Sequence, residues 1–478
     1  MPNKSELSAL AHIRRESLDI YNRLHSIEAD IAFVNEVRVA YPTYPLIPNL
    51  RCGAWYTDPA IAHPSVHAYF KSTDGHHGNW AFNLRRPNIH LLPIILAHGG
   101  LVLVDSTRAG KRIPDALSKT VPIWCAVINR ATYLRSLDPS EAAASLHTPP
   151  GAVSAHEHAQ IAARLDSWAA ALADSSYGLP RLTRPLRPLW ITPASTRFPH
   201  IAPDASFLPI MCVSASRAVH AGIERRSGGF SYVQGSGDDH EGLTPRLFWR
   251  HRTELLSCPR EQVEAEVTKL ASSAREVERT SASDGFRGAW GMRPAPILKV
   301  GGRVLIHTLA DLPLDPEILA SIPRQWELNS GDGETVYIVV YASDAGTPGE
   351  DSCIPQKHGS AARILLMRVP QGRRRRPVLV REVLPRAVSY ASPHLSLGRK
   401  VCVVGGDEGV GVALVLLQLF FDDGGGPRSD TPGGLTDMKS SVRTRLEWII
   451  SSQPQVNPAR AILKSVHDFL HSYCQEPT

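Results

Sequence analysis

Short, largely apolar runs that end at polar, glycine-containing loops are the feature that most constrains the fold of this chain. Leu101–Val104 is apolar and β-branched, and a loop rich in hydroxyls, glycine and cations follows it. Leu208–Ser214 and Lys400–Val404 are followed in the same way by small and polar residues. Apolar runs of about four to eight residues are typical of strands buried on both faces. We therefore expect sheets whose strands lead into functional loops.

Helical patterns alternate with these strands. Apolar residues recur at spacings of three and four from Glu6 to Val39, which predicts an amphipathic helix broken once. Arg260–Glu278 and the apolar Val410–Phe421 are also predicted to be helical, whereas Pro122–Asn129 and Val378–Val380 are predicted to be strands. The fold class expected is α/β, with an α+β arrangement in the N-terminal part.

The length of 478 residues exceeds what one hydrophobic core usually serves, so we expect two domains. The sequence pattern changes near residue 361, after which predicted strands, a glycine-rich turn and an apolar helix form a small α/β unit. We expect a large N-terminal domain over residues 1–350, including a bridging region from about 286, and a C-terminal domain over residues 361–478.

Composition limits the cellular setting. Hydrophobic residues at 43% and charged residues at 21% are ordinary globular values. The longest apolar runs, Leu91–Ala97 and Val410–Phe421, fall short of the roughly 20 residues that cross a bilayer, and Met1–Asp30 lacks the pattern of a secretory signal. Seven scattered cysteines without a CxxC pair fit free thiols. We expect a cytoplasmic protein with no membrane segment and no evident obligate protein partner.

Basic residues cluster although the formal net charge is only +6. Each cluster alone could be a solvated surface, but several together favour a polyanionic partner such as nucleic acid. The residues predicted to bind RNA are Arg225, Arg226, Arg373, Arg374, Arg375 and Arg376.

Two loops carry an unusual density of functional groups. The first is Lys71–Trp80, with Lys71, Ser72, Thr73, Asp74, His76 and His77; a capped turn with exposed histidines is the plainer interpretation. The second follows Asp105 and contains Ser106, Thr107, Arg108, Gly110, Lys111 and Arg112. A carboxylate, hydroxyls and cations after a strand suit a phosphorylated sugar, although a basic surface turn would look the same.

Two further loops suggest metal or phosphate binding. Asp238, Asp239, His240 and Glu241 could supply Mg²⁺ ligands and a base, or form an acidic turn. Gly405, Gly406, Gly409 and Gly411 lie between a strand and a helix, where backbone N–H groups can bind phosphate. The loop looks like that of dual-specificity phosphatases, but Glu408 stands where their chemistry needs Arg, and Cys402 is predicted to be a buried strand residue.

Taken in chain order, these segments resemble the family of initiator-tRNA 2′-O-ribosyl phosphate transferases. The matching segments are 45–56 (PLIPNLRCGAWY), 70–76 (FKSTDGH), 105–124 (DSTRAGKRIPDALSKTVPIW), 232–241 (YVQGSGDDHE) and 243–249 (LTPRLFW). Lys119 lies within the third. Gly411–Leu414 and Asn457–Arg460 are similar to the family's phosphatase-like domain, so the likeness spans nearly the whole chain. Gly406 and Gly409 depart from it, because Lys and Ser are expected there.

The resemblance implies a large family-specific N-terminal domain and a small dual-specificity-phosphatase-like domain. It also implies transfer of phosphoribosyl from phosphoribosyl pyrophosphate to the 2′-hydroxyl of the purine at position 64, in the T-stem of initiator methionyl tRNA. This modification blocks use of that tRNA in elongation. The expected cofactor is Mg²⁺ on the pyrophosphate.

Roles follow from the chemistry of this transfer, in which pyrophosphate leaves an oxocarbenium-like sugar. We expect Lys71, Arg108, Lys111 and Arg112 to hold phosphates, and Asp74, Asp105, Asp239, His76 or His240 to hold ribose or act as base, with Asp238 and Glu241 at the metal. Two alternatives stay open: a non-catalytic phosphatase-like module that binds RNA or phosphoprotein, and a phosphate-ester hydrolase with metal at Asp238–Glu241.

Overall fold

The computed structural model of the chain describes residues 4–63, 66–107, 110–136, 145–219, 223–237, 242–280, 294–308, 335–342, 353–354, 363–370, 372–428 and 438–474. The chain divides into two units. Unit 1 comprises residues 1–174 and 178–275, and unit 2 comprises residues 175–177 and 276–478. The domain boundary predicted near residue 350 differs from this division, because the strands between 294 and 342 belong to the sheet of unit 2.

Unit 1 contains helices on both sides of a sheet. Its helices are α1 (Lys4–Leu18), α2 (Ile20–Ala40), α3 (Leu50–Tyr56), α4 (Leu91–His98), α5 (Val121–Ser136), α6 (Ala155–Ala162), α7 (Leu165–Ala173), α8 (Pro245–Ser257) and α9 (Val263–Thr280, whose last residues fall in unit 2). A turn at Ser72–Gly75 and a wide turn at Ala116–Thr120 complete the helical elements described here. The predicted break in the N-terminal helix falls at Asp19, whose side chain accepts a hydrogen bond from the Asn22 N–H and so begins α2.

Within the described residues of unit 1, four parallel strands form a sheet in the order β1 (Leu46–Pro48), β2 (Leu101–Asp105), β4 (Leu208–Ser214) and β3 (Leu186–Ile191). The central strands β2 and β4 are buried along their whole length, as their apolar runs predict. Because all four strands are parallel, their carboxyl ends meet at one edge. Asn49, Asp105, Thr192 and Ser214 stand there, and the loop after Ser214 leads to Ser216. A separate antiparallel ribbon pairs β5 (Ile223–Arg225) with β6 (Ser231–Val233).

In the described part of unit 2, six strands form one sheet. Its order is β10 (Cys353–Ile354), β11 (Arg363–Val369), β9 (Thr335–Ala342), β12 (Lys400–Gly405), β8 (Val304–Thr308) and β7 (Ala295–Pro296). The four central strands are parallel, and both edge strands are antiparallel. Its helices are α10 (Arg375–Val378), α11 (Leu384–Ser396), α12 (Asp407–Phe420), α13 (Met438–Ser452) and α14 (Arg460–Tyr473). The predicted mixture of helices and sheets is confirmed.

Two predicted strands are wrong. Pro122–Asn129 lies within α5, where nearly every residue from Val121 to Thr132 is buried. A helix buried on all sides has no apolar period, so its run looks like that of a buried strand. Val378–Val380 belongs to a continuous helical stretch. Leu379, Val383, Ala387 and Ala391 are buried at a spacing of four, a pattern longer than the three residues that suggested a strand.

Among the described residues, none of the helices combines the length and apolar content needed to cross a lipid bilayer.

Close packing of α3 against β2 predicts that Gly53→Ala destabilises the protein. A Cβ at Gly53 would overlap the carbonyl oxygen of Val104 and lie 3.0 Å from Pro48 Cα. Overpacking of this kind costs about 1–3 kcal/mol. We expect a lower urea midpoint for Gly53→Ala, measured on the full chain. Gly151→Ala is the control, because no atom lies within 4 Å of its added Cβ; equal midpoints for the two variants would contradict the packing account.

Candidate functional site

The carboxyl edge of the unit 1 sheet is organised by the side chain of Asn49, directly after β1. Its Nδ2 donates to the carbonyl of Phe70 and to Oδ2 of Asp105, both at 2.9 Å, and its Oδ1 accepts from the Phe70 N–H at 2.9 Å. A buried amide with donors and acceptors in use is strongly fixed in place. Asn49 therefore ties the segment before Lys71 to the end of β2.

Asp105, predicted to be catalytic, ends β2 and is buried. Its two carboxylate oxygens accept from Asn49 Nδ2 and from the Ser106 N–H, the latter at 2.8 Å. Burial raises the pKa of Asp105 to about 7, although these two hydrogen bonds act in the opposite direction. A carboxyl group with a pKa near neutrality can accept or hold a proton under cellular conditions.

The predicted loop Lys71–Trp80 has its own fixed contacts. Both carboxylate oxygens of Asp74 accept from Nη2 of Arg86, at 3.0 and 2.8 Å, and both side chains are largely buried. His76 and His77 are exposed and lie near Asp115 and Glu157, at 3.8 and 3.5 Å. Asp74 is thus held by a neighbouring cation, while the two imidazoles face solvent.

Loops 71–80 and 110–120 come together around a buried lysine. Lys119, only 8% exposed, lies 3.0 Å from Asp115 and 3.3 Å from Glu157. Lys111 donates to the same Asp115 carboxylate at 2.7 Å from an exposed position. Burial opposes ionisation of Asp115, but the hydrogen bonds from the two lysines lower its pKa. Lys119, predicted to bind substrate, is the internal counterion of this network.

Close contacts that involve the backbone also join the turn at Ser72–Gly75 to residues 115–120. A Cβ at Gly75 would lie 2.8 Å from the Asp115 carbonyl oxygen and from Oγ1 of Thr120. Thr120 in turn donates to the Lys71 carbonyl at 3.0 Å. The turn Ser72–Gly75, with Ser72 half-buried and Thr73 exposed, therefore rests directly on the wide turn before α5.

Gln234, just after β6, joins the loop after β2 to the loop after β4. Its Oε1 accepts from the Gly110 N–H and the Val219 N–H, both at 3.0 Å, and its Nε2 donates to the Lys111 carbonyl at 2.6 Å. Arg112 Nε lies 3.3 Å from Oγ1 of Thr192, which follows β3. The described part of loop 105–112 is thereby held at the carboxyl edge of the sheet.

The predicted residues Arg108, Asp238, Asp239, His240 and Glu241 lie outside the described residues. Gly237, the last described residue before the acidic group, donates its N–H to Tyr56 Oη at 3.0 Å, and Tyr56 lies in the same core as β2. Within the described ranges, no three Asp, Glu, His or Cys side chains converge in a way that could hold a metal ion.

A buried polar cluster beside Asp105 was not predicted from the sequence. Asp30 of α2 accepts from Ser216 Oγ at 2.6 Å and from Tyr232 Oη at 2.7 Å, and Ser216 lies 2.6 Å from Ser106 Oγ. A usable signal exists in the sequence: Asp30 shares the helical face of Ile27, Ile31 and Val34, where a carboxylate is out of place.

The basic clusters differ in how freely they present charge. Arg225 is exposed, while Arg226 lies over the ring of Tyr232 at 4.8 Å. In unit 2, Arg375 is ion-paired with Glu408 and Arg376 with Asp468. Arg373 and Arg374 are exposed, so they are the members of the four-arginine run best able to meet an external anion.

The glycine loop of unit 2 carries its own anions. Asp407 and Glu408 occupy the first turn of α12; Glu408 pairs with Arg375, and Asp407 Oδ2 accepts from the Ala459 N–H at 2.9 Å. Burial raises the pKa of the Cys402 thiol, which lies within β12. Carboxylates at a helix N-terminus repel an external phosphate from the position that would bind it, and a buried neutral thiol is a poor nucleophile.

Comparisons with known proteins agree with both units. The family model described as the Rit1 N-terminal domain matches residues 13–272, and that described as the Rit1 DUSP-like domain matches residues 363–470. The tRNA A64-2'-O-ribosylphosphate transferase of Saccharomyces cerevisiae is 31% identical over 497 aligned positions, covering 96% of this chain and 93% of that protein. An uncharacterized protein of Schizosaccharomyces pombe is 43% identical over 277 residues, which are 56% of this chain and 60% of that relative's length.

Burial of Asp105 predicts a specific pH dependence of stability. The folded state keeps this carboxyl protonated up to a pH of about 7, whereas it ionises at about 3.9 when unfolded. The folded state therefore binds the extra proton in this window, and Asp105 costs stability as the pH rises through it. Asp105→Asn cannot ionise, so its stability relative to the original protein should rise by about a few kcal/mol between pH 4 and 8.

Urea midpoints of the two proteins across this range measure the effect. Asp166→Asn, at a highly exposed position, is the control and should follow the original protein. A stability difference between Asp105→Asn and the original protein that stays constant with pH would contradict a buried, protonated Asp105.

Proposed function

We propose, because this chain belongs to the Rit1 family, that it is a tRNA 2′-O-ribosylphosphate transferase. The observation that carries the proposal is the likeness to the named yeast transferase across 96% of this chain, which includes both units. The donor we propose is phosphoribosyl pyrophosphate. The acceptor is the 2′-hydroxyl of the purine at position 64 of initiator methionyl tRNA, and the product is withheld from elongation. The proposed compartment is the cytoplasm.

The geometry of unit 1 supports this chemistry. A sheet edge with Asp105 and Ser106, held in place by Asn49, can hold ribose hydroxyls through directed hydrogen bonds. Lys71, Lys111 and Arg112 lie on loops fixed to the same edge, together with Ser72, Thr73, Thr107 and Gly110. Cations near a departing pyrophosphate stabilise the charge that develops on it. We therefore propose that this edge holds the donor.

Among the predicted carboxylates, we favour Asp105 as the one that faces substrate. Asp74 has both oxygens committed to Arg86, so we assign it the role of holding the loop. Mg²⁺ is proposed to bind on the donor's pyrophosphate with help from Asp238 and Glu241, where it would neutralise the leaving group.

Unit 2 is proposed to act as an RNA-binding unit without phosphatase activity. The loop of Gly405, Gly406, Gly409 and Gly411 is lined by its own carboxylates, which favours the non-catalytic alternative for this unit alone. Exposed Arg373 and Arg374 could lie along an RNA backbone. Shape-based recognition of double-stranded RNA relies on such contacts beside its wide minor groove.

The direct test of the activity incubates the full chain with bulk tRNA and phosphoribosyl pyrophosphate labelled in its ribose. We expect one tRNA, the initiator, to gain label, and Asp105→Asn to lower the rate roughly 10²–10⁴-fold. Asp166→Asn serves as the charge-matched control at full rate. Label in no tRNA would contradict the proposal, and donor hydrolysis independent of tRNA would favour the hydrolase alternative.

A second prediction concerns tRNA binding. Replacing Arg373 and Arg374 together with Ala should reduce the salt dependence of tRNA affinity by a slope of about two, because each lost phosphate contact lowers it by about one. The matched control replaces exposed Arg14 and Arg15 of α1, which removes the same charge elsewhere. Affinities measured between low and physiological salt decide the matter: equal slopes for the two double variants would reject a specific role for Arg373 and Arg374.

A further inference from the structure

A buried carboxyl group lies beneath the proposed donor site and has no role in the function described so far. Asp30 of α2 is only 3% exposed. Its two oxygens accept from Ser216 Oγ at 2.6 Å and from Tyr232 Oη at 2.7 Å. The Tyr232 oxygen itself accepts from the Arg217 N–H at 2.8 Å. Asp30 therefore accepts one hydrogen from each of its two side-chain partners.

The hydrogen bonds continue from Asp30 to the edge of the sheet. Ser216 Oγ lies 2.6 Å from Ser106 Oγ. When Asp30 is ionised, the Ser216 hydrogen points at Asp30, and the Ser106 hydroxyl then donates to Ser216. Ser106 is half-buried and follows Asp105 directly. The chain therefore runs from the core to the place where the proposed function puts the ribose.

Each hydroxyl in this chain can reverse its hydrogen bond. With Asp30 ionised, Ser106 points its hydrogen inward and offers its oxygen to a donor outside. With Asp30 protonated, the acid donates to Ser216, Ser216 donates to Ser106, and Ser106 points its hydrogen outward. A chain with two such arrangements can pass a proton from one end to the other.

The groups around Asp30 set the range in which it exchanges a proton. Burial raises its pKa to about 8, against the lowering effects of Ser216, Tyr232 and the charge of Arg226. The Tyr56 phenol of α3 also faces it and lies beside both serine hydroxyls. A base of this strength is well matched to proton transfer near neutral pH.

We propose that Asp30, Ser216 and Ser106 form a proton relay that removes the proton from the attacking ribose 2′-hydroxyl during transfer. The proposal rests on the transferase function above and deepens it. Ser106 is the group that meets the acceptor hydroxyl, while Ser216 and Asp30 are positioning and proton-holding residues that act through it. Asp105 beside them holds the donor ribose.

The O–H bond of the 2′-hydroxyl breaks and its proton goes to Ser106 Oγ; the Ser106 proton moves to Ser216 Oγ, and the Ser216 proton moves to Asp30 Oδ2. The 2′-oxygen forms a bond to C1′ of the activated ribose phosphate. The bond between C1′ and the pyrophosphate oxygen breaks, and pyrophosphate leaves with the electron pair. No oxidant or reductant is needed.

A purely structural role for the cluster would also explain its burial, since it links α2 to the loops after β2 and β4. The two roles differ in their response to pH. A relay makes the transfer rate depend on the ionisation of Asp30, whereas a structural link changes stability and leaves the pH profile of turnover unchanged.

The test measures kcat for labelled transfer to initiator tRNA between pH 6 and 9, with the unfolding midpoint of each variant. We expect turnover of the original chain to rise with pH up to about 8. Ser216→Ala, Ser106→Ala and Asp30→Asn should each lower kcat roughly 10²–10⁴-fold and remove this rise. Ser216→Thr, which keeps a hydroxyl, should restore much of both.

Ser465→Ala is the matched control, because this serine is also buried but lies in α14 of unit 2, where its hydroxyl donates to the Ala461 carbonyl of the same helix; it should leave kcat and the profile unchanged. Folded Ser216→Ala and Ser106→Ala proteins that keep the original pH profile would overturn the relay while leaving the transferase function intact. If the original chain itself transfers no label, the proposed function fails first.

Discussion

The hydrogen bonds of Asn49 are the interaction on which the candidate site depends. Parallel strands bring the ends of β1 and β2 to one edge, and the Asn49 amide then fixes Phe70 and Asp105 relative to each other. Backbone hydrogen bonds already join Ala68 to Pro48 and Leu50, and the Asn49 side chain adds the link from this segment to the end of β2. Burial at this edge removes the Asp105 carboxyl group from water and so raises its pKa to about 7.

Much of this arrangement could be predicted from sequence, because a strand reveals itself through its apolar run. The strands at Leu101–Val104 and Leu208–Ser214 were predicted in this way, and Asp105 was predicted to close the first of them. Partners distant in sequence could not be predicted. Nothing local indicates that Asp74 meets Arg86 or that Asp30 meets Ser216, since those pairs depend on tertiary packing. The segment Pro122–Asn129 of α5 was mistaken for a strand for a related reason: the apolar period disappears where every face of a helix is buried.

The two units handle negative charge in opposite ways. In unit 1, cations and hydroxyls line an edge whose carboxyls are held by hydrogen bonds and Arg86. In unit 2, Asp407 and Glu408 occupy the helix N-terminus that could otherwise bind a phosphate. Arg375 of the same unit forms an ion pair with Glu408. The phosphatase-like fold of unit 2 is thus present although its own carboxylates occupy the position where an external anion would bind.

The close contact at Gly75 limits which side chains can occupy that position. Its missing side chain is what lets two loops, some forty positions apart, touch through their backbones. An alanine at position 75 would require the two loops to move apart. The contacts around Lys119 would then have to change as well. A residue larger than glycine at position 75 is therefore incompatible with the junction in its present form.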